Sequence, residues 1–256
     1  MRRELLALKV VGEFHWGYSV RAVSESAAAH PYPVPPPSTL IGALAYGLSK
    51  RRHLGEYLLD GKDLISRAWE AYGYVLWAAF GFEDFNGGTF MILAQSFSDS
   101  VRLFRLIYQR GTRHVWEQKD MWFGVAAHGK VYYPSGGFKV VYLVDAAKAE
   151  AALGPGYEEE LLGACVSIAR IGSREGLVSI LSAEFSRKLR LRSPPAEISL
   201  YFPKRLISSY ESEVAEEVDL PVLIPEKLKE GMKPVSYTHL RAHETSLHLV
   251  CRLLLE

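Results

Sequence analysis

Four groups of side chains in this sequence are of types that do chemistry. Tyr108, His114 and Lys119 place a phenol, an imidazole and an ammonium in one polar segment. Groups of these three types can serve as the general base, general acid and cation of a metal-independent RNA cleavage. Around them Arg102, Arg105, Arg110, Arg113 and Lys119 interleave with Tyr108, His114, Trp116 and Trp122. That mixture suits single-stranded RNA, whose bases stack on rings while its phosphates pair with cations; a solvated hairpin with aromatics in its root would have the same composition. Further on, Gly172, Ser173, Arg174 and Gly176 set a guanidinium beside two residues that tolerate unusual backbone angles. Exposed N–H groups and a guanidinium hold a phosphodiester, and an ordinary helix-to-strand turn is the alternative. Ser38 and Thr39 open a helical pattern, where a hydroxyl can cap orphan N–H groups and the dipole end suits a phosphate. A rigid loop feeding a core helix would use the same residues.

Two further groups are decoys. His239 and His243 stand at i, i+4 like a helical metal pair, and Cys251 mimics a second cysteine. All three fall in residues 235–256, VSYTHLRAHETSLHLVCRLLLE. The codons TCT TAT ACA CAT CTC CGA GCC CAC GAG AC spell SYTHLRAHET, a common sequencing-library adapter, and CTC GTA TGC CGT CTT CTG CTT G spells LVCRLLL with the start of Glu. The segment is therefore read as translated adapter and set aside. It is expected to pack arbitrarily, with the natural chain cut near Lys233 or Pro234.

Of the 256 residues, about 234 then remain, enough for one large domain or two small ones. Hydrophobic content of 48%, charged content of 23% and a net charge of +1 are ordinary for a globular protein. Any basic surface must be local. With Cys165 the sole cysteine outside the tail, no internal disulfide is expected and a reducing cytoplasm is the default compartment. No apolar run reaches membrane-span length, and no membrane partner is expected. There is no Walker loop, no nucleophile elbow and no metal-ligand spacing outside the tail, so no cofactor and no metal site are expected.

The elements that must position these residues read as follows. Residues 5–13 form a buried strand. Pro31, Pro33, Pro35, Pro36 and Pro37 force an extended run, and a helix from Ser38 to about Arg52 follows. Leu40, Ile41, Leu44 and Leu48 form its apolar face, while Gly42, Ala43, Ala45 and Gly47 let another backbone come close. Residues 58–69 give a shorter helical pattern, and 71–82 suit helix or strand. Residues 89–97, 128–133 and 138–144 are strand-like; the region between them is a hairpin or thumb inserted between core strands, or a plain three-stranded meander. A helix over 155–170 has Glu158, Glu159 and Glu160 in its first turn, with Leu161, Leu162, Cys165 and Ile168 inward. A strand over 177–182 completes a βαββαβ unit. Pro194–Pro195 marks a boundary before a small β-rich part.

Two stretches carry a family resemblance. PPPSTLIGALA, from Pro35, resembles the start of the first helix in the Cas-five family of CRISPR proteins, RAMP-type subunits of the type I interference complex Cascade. RIGSREGLVSI, from Arg170, resembles the glycine segment that family carries later. The proline run and the Ser-Thr-hydrophobic-hydrophobic-Gly-Ala-Leu-Ala pattern look most like the archaeal subtype I-A version. The resemblance implies an α+β fold: a ferredoxin-like, RNA-recognition-type domain over 1–192 with a β thumb at about 98–136, then a truncated β-rich part over 193–234. It implies an RNA-binding subunit that holds the 5′ handle of the crRNA beside the Cascade backbone and large subunits in antiviral defence. The expected RNA-binding residues are Ser38, Thr39, Arg102, Arg105, Arg113, Gly172, Ser173, Arg174 and Gly176. One branch of the family cleaves precursor RNA with a Tyr-Lys-His type of site; Tyr108, His114 and Lys119 do not align onto it, so no catalytic residue is assigned. An endoribonuclease and a generic RNA-recognition-type module are the alternatives.

Overall fold

The computed structural model describes residues 4–20, 31–60, 63–83, 95–96, 99–102, 123–126, 130–133, 136–173, 176–190, 198–206, 215–222, 233–240 and 254–255. Its centre is a four-stranded sheet. Strand β1 (Leu5–Phe14) is flanked by the strand Gly137–Asp145 on one side and by the strand Val178–Ser186 on the other, and the strand Val75–Phe82 completes the sheet beyond Gly137–Asp145. Every neighbouring pair is antiparallel. In chain order the rest are β2 (Gly17–Tyr18), α1 (Pro37–Arg51), β3 (Tyr57–Asp60), β4 (Asp63–Ser66), α2 (Ala68–Tyr72), β5 (Val75–Phe82), β6 (Gln95–Ser96), β7 (Asp99–Arg102), β8 (Phe123–Ala126), β9 (Lys130–Tyr132) and β10 (Gly137–Asp145). They continue with α3 (Ala146–Leu153), α4 (Tyr157–Val166), β11 (Val178–Ser186), β12 (Leu189–Arg190), β13 (Phe202–Pro203), β14 (Ala215–Val222), β15 (Lys233–Leu240) and β16 (Leu254–Leu255). The main path is thus β1–α1–β5–β10–α4–β11, with sheet order fourth, first, third, second.

Alternation along β1 decides which face is covered. Leu6, Leu8 and Val10 are buried and lie opposite Val144, Tyr142 and Val140 of β10, which are buried too. On the other face Lys9 pairs with Glu184 across to β11. Phe14, Phe80, Phe82 and Phe138 extend the apolar face as a ring cluster, Phe14 to Phe138 at 4.8 Å and Phe80 to Phe82 at 5.1 Å between centroids. A fully buried phenyl of this kind contributes about 1.5–3 kcal/mol by leaving water. Helices α1 and α4 both cover this face and pack on each other. Strand β1 pairs with both β10 and β11, and both helices share one face.

Several local expectations need correction. Residues 58–69 are not a helix but the hairpin β3–β4 followed by short α2. Asp60-Gly61 is a hairpin turn signal flanked by Leu58, Leu59, Leu64 and Ile65, and the register pairs Asp60 with Asp63. Residues 71–82 resolve into the end of α2 and the strand β5. The helix placed over 155–170 spans only Tyr157–Val166. A separate helix, α3, precedes it, its first turn capped by the Asp145 carboxylate accepting from the Lys148 N–H at 3.2 Å. Residues 83–136 lie between β5 and β10; β9 there pairs with both β2 and β6, and β7 with β8. Residues 233–240 form β15, which pairs with β14 along all of it and with β13; the side-chain packing of 235–256, on which the expectation of arbitrary packing turned, lies outside the described set. Strand pairing uses backbone groups that every residue but proline carries in full, and Val235, Tyr237 and Thr238 suit a strand, while Pro234 stands opposite Pro221.

Candidate nucleic-acid interface

Helix α1 has two unlike faces. Leu40, Leu44 and Leu48 are buried against the sheet, and the Tyr142 hydroxyl donates to the Leu40 carbonyl at 3.0 Å. Thr39, Gly42, Tyr46 and Ser49 recur on the face that lines a cleft of about 500 Å³. A Cβ on Gly47 would sit 2.2 Å from the Ala164 carbonyl oxygen, so only glycine lets α1 lie this close to α4. The small-residue signal therefore marks helix contact at Gly47 and open space at Gly42, where a Cβ would meet nothing within 4 Å.

The proline run feeding α1 is braced by buried phenols. The Tyr18 hydroxyl donates to the Pro33 carbonyl, and the Tyr201 hydroxyl donates to the Pro35 carbonyl at 3.0 Å. Burial first, then the neighbouring Tyr133, pushes the Tyr18 phenol far above its ordinary value. Burial likewise raises Tyr142. Both stay protonated and keep donating.

The start of α1 differs from the expectation. Ser38 is not the N-cap; Pro36 is, with Pro37 at the first helical position and no side-chain cap bond. Proline is favoured there because its missing N–H is one the helix cannot use. Pro36 and Pro37 have no N–H, and the Thr39 and Leu40 N–H groups both donate to the Pro36 carbonyl, at 2.9 and 3.2 Å. The first turn is thus poor in donors for an anion.

The glycine loop comes to the same place. Ser173 donates its N–H to the Ser19 carbonyl at 3.0 Å, docking the loop beside the end of β2. Gly172 has φ 86° and a Cβ there would meet Val20 Cγ2 at 2.8 Å, so glycine is required. Ile171 donates to the Gly176 carbonyl at 2.9 Å and Gly176 to the Ser173 carbonyl at 3.0 Å. The described N–H groups of this loop are therefore largely spent on the protein, and a phosphate here would rely on side chains.

Those side chains are ones the sequence reading did not single out. Arg170 and Lys50 each lie over the Tyr46 ring, 5.2 Å from its centroid. Arg170 is 3.9 Å from Glu56, both half exposed. Arg67 lines the cleft too, but its Nε donates to the Gly55 carbonyl at 2.7 Å and it pairs with Glu70. The signal for Tyr46 was present: it is the aromatic at i+4 from Gly42 and i+7 from Thr39. Arg170 is the first residue of the glycine segment.

Of the expected RNA-binding residues, Thr39, Gly172 and Ser173 line the cleft together. Ser38 sits in the first turn of α1 without lining it, and Gly176 closes the loop behind. Arg102 is in β7, its backbone opposite Phe123, and its side chain lies outside the described set. Arg105, Arg113 and Arg174 lie outside the described residues, as do Tyr108, His114 and Lys119. Among the described residues no group of three His, Cys, Asp or Glu is placed to hold a metal. No described helix is long and apolar enough to cross a membrane.

Arg187, on β11's far side in sequence from the glycine loop, is committed to other partners. It pairs with Glu158 at 2.7 Å and Glu4 at 2.5 Å, and the Glu158 hydrogen bond above all holds its guanidinium well above the usual arginine value.

No family model matches the chain. Three relatives from Saccharolobus solfataricus do. The "CRISPR system aCascade subunit Cas5 1" is 32% identical over 69% of this chain and 63% of the relative. The "CRISPR-associated protein Cas5 3" is 35% identical over the same shares, 69% and 63%. The "CRISPR-associated protein Cas5 2" is 25% identical over 83% of this chain and 73% of the relative. The chain thus spans 63% of the length of two of these relatives and 73% of the third. In fold, it superposes on a crystal structure of a CRISPR protein from Archaeoglobus fulgidus with a TM-score of 0.52, at 17% identity over 95% of this chain and 92% of that one. The proline-led helix, the glycine loop docked beside it and these relatives agree, and together they support a protein of the Cas5 family of CRISPR-associated proteins.

Proposed function

We propose that this chain is a non-catalytic RNA-binding subunit of a type I CRISPR Cascade complex, of subtype I-A, that holds the 5′ handle of the crRNA in antiviral defence. It works in the cytoplasm beside the Cascade backbone and large subunits. In this reading the fold is a ferredoxin-like RAMP domain with a thumb at about 98–136. The antiparallel order fourth-first-third-second around a βαββαβ path supports it, as does the relative described as an aCascade subunit.

The observation that carries the proposal is the cleft itself. It joins α1 to the Gly172–Ser173 loop, two segments far apart in sequence, and lines the gap with Thr39, Tyr46, Ser173 and Arg170. A ring, hydroxyls and a guanidinium in one open groove are what a single RNA strand binds.

Gly42→Glu tests it, because the site is open and a carboxylate there meets a phosphate path directly. Binding of repeat-derived single-stranded RNA, followed by fluorescence anisotropy, should fall at least about tenfold while the melting curve stays in place. Like charge at this range costs on the order of 1 kcal/mol or more at intermediate dielectric. Unchanged affinity in a folded Gly42→Glu protein would remove the cleft from the account. Intact RNA after prolonged incubation is the expected companion result.

A further inference from the structure

We propose that Tyr46, Lys50, Arg170 and Glu56 form a phosphodiester subsite in which Arg170 exchanges the Glu56 carboxylate for a phosphate of a single-stranded RNA. The inference rests on the reading of the cleft as an RNA groove and adds the residues that grip the backbone and the one that opposes them.

The geometry is specific. Two cations from separate elements, one on α1 and one just after α4, lie over a single ring at equal distances of 5.2 Å. They cannot be further apart than twice that distance. Two like charges would not gather around one phenol unless it offset their repulsion, and the negative face of the ring does so. Tyr46 is thereby a positioning residue: itself lining the cleft, it holds Arg170, which also lines it, and Lys50 over its ring before any ligand arrives. Preorganised cations lose less side-chain freedom on binding an anion.

Glu56 sets the other side of the balance. Its contact with Arg170 is long, 3.9 Å, and the two side chains are 46% and 41% exposed. A pair so solvated holds weakly. A phosphate offers Arg170 charge-assisted hydrogen bonds of better geometry. Because the loop N–H groups of Ile171, Ser173 and Gly176 are bonded within the protein, side-chain cations are what remains to take the anion. Glu56, Arg67, Ser66 and Ala68 form the wall facing them. Arg67 is tied to Gly55 and Glu70, so Glu56 is the carboxylate set against Arg170.

The test is equilibrium binding of a mixed-sequence single-stranded RNA octamer to the full chain across a salt series. Glu56→Gln should tighten binding several-fold. Arg170→Ala should weaken it about tenfold and lower the salt slope by about one counterion. Tyr46→Phe should bind like the parent, while Tyr46→Ala should weaken binding without changing net charge. Combining Tyr46→Ala with Arg170→Ala should cost less than the sum, because part of the Tyr46 effect acts through Arg170. Lys188→Ala, exposed and outside the cleft, is the control. If the parent binds RNA but Glu56→Gln and Arg170→Ala match it, the subsite is wrong and the RNA groove stands. If the parent does not bind RNA, both fall. If Tyr46→Phe weakens binding as much as Tyr46→Ala, the ring's positioning role is wrong.

Discussion

Exchanging one glycine for alanine at two points of α1 isolates the contact that sets how closely α1 approaches α4. Gly42 and Gly47 lie in the same helix. Alanine at either adds the same intrinsic helix propensity, about 1 kcal/mol. At Gly42 the new methyl meets nothing within 4 Å, so that gain should be realised in full. At Gly47 it would stand 2.2 Å from the Ala164 carbonyl oxygen and 3.2 Å from the Ala164 Cα. Those are backbone atoms, which cannot swing aside, so α1 and α4 must separate. Overpacking of that kind costs about 1–3 kcal/mol. The propensity term cancels between the two variants, leaving about 1–3 kcal/mol as their difference. At about 2–4 °C per kcal/mol for a chain of this size, Gly42→Ala should melt roughly 2–12 °C above Gly47→Ala, with Gly42→Ala above the parent. Thermal unfolding followed by circular dichroism reads this directly. Equal midpoints for the two variants would refute the close approach of α1 and α4.

Four further outcomes are expected. Tyr142→Phe should lose about 0.5–1.5 kcal/mol in urea titration, since the hydroxyl that donates to Leu40 is buried and 3.0 Å from it; no loss would deny that bond. Burial pushes the Cys165 thiol from 9.0 up to about 12: below pH 9 both states keep the proton, and between 9 and 12 only the unfolded chain loses it. Stability from this group is therefore complete below pH 9 and lost as pH rises toward 12, by up to about 1.4 kcal/mol per pH unit. Comparing Cys165→Ala with its parent in a Cys251→Ser background should show the smaller alkaline loss in Cys165→Ala. Arg187→Ala should lower the melting point at low salt, and progressively less at high salt, through lost pairing with Glu4 and Glu158, while RNA affinity is kept; a loss of affinity like that of Arg170→Ala would mean a diffuse basic surface. Ending the chain after Pro234 should leave RNA affinity unchanged, because none of the described residues beyond Pro234 lines the cleft.

The parts of the fold that were legible were those where one pattern dominates. Residues 5–13 are apolar enough to be nothing but a buried strand, and the proline run followed by Leu40, Ile41, Leu44 and Leu48 announces where α1 begins and which way it faces. The hairpin β3–β4 was missed because four aliphatic residues on both sides of Asp60-Gly61 also fit a helical period; the turn signal was the better guide. Helix α3 was missed because AAKAEAAL is only 8 residues long, about two turns, too short to establish a helical period, and its start is set by the Asp145 cap. At the site, Thr39, Gly172 and Ser173 were found because glycine at a docking loop leaves a trace in sequence. Ser38 as cap was wrong because Pro36 and Pro37 had already taken the cap and first-turn positions. Arg170, Lys50 and Glu56 carry no motif of their own, and only the fold brings Arg170 and Lys50 to one ring and Glu56 beside Arg170.

The central claim is that RNA lies in the cleft between α1 and the Gly172–Ser173 loop. Photo-crosslinking of the full chain to repeat-derived RNA carrying 4-thiouridine, with the linked peptides identified by mass spectrometry, tests it most directly. The expected links fall in residues 39–50 and 170–173, with Tyr46 prominent. Links confined to the outer strand β11 and residues 198–222, with none in those two segments, would contradict it.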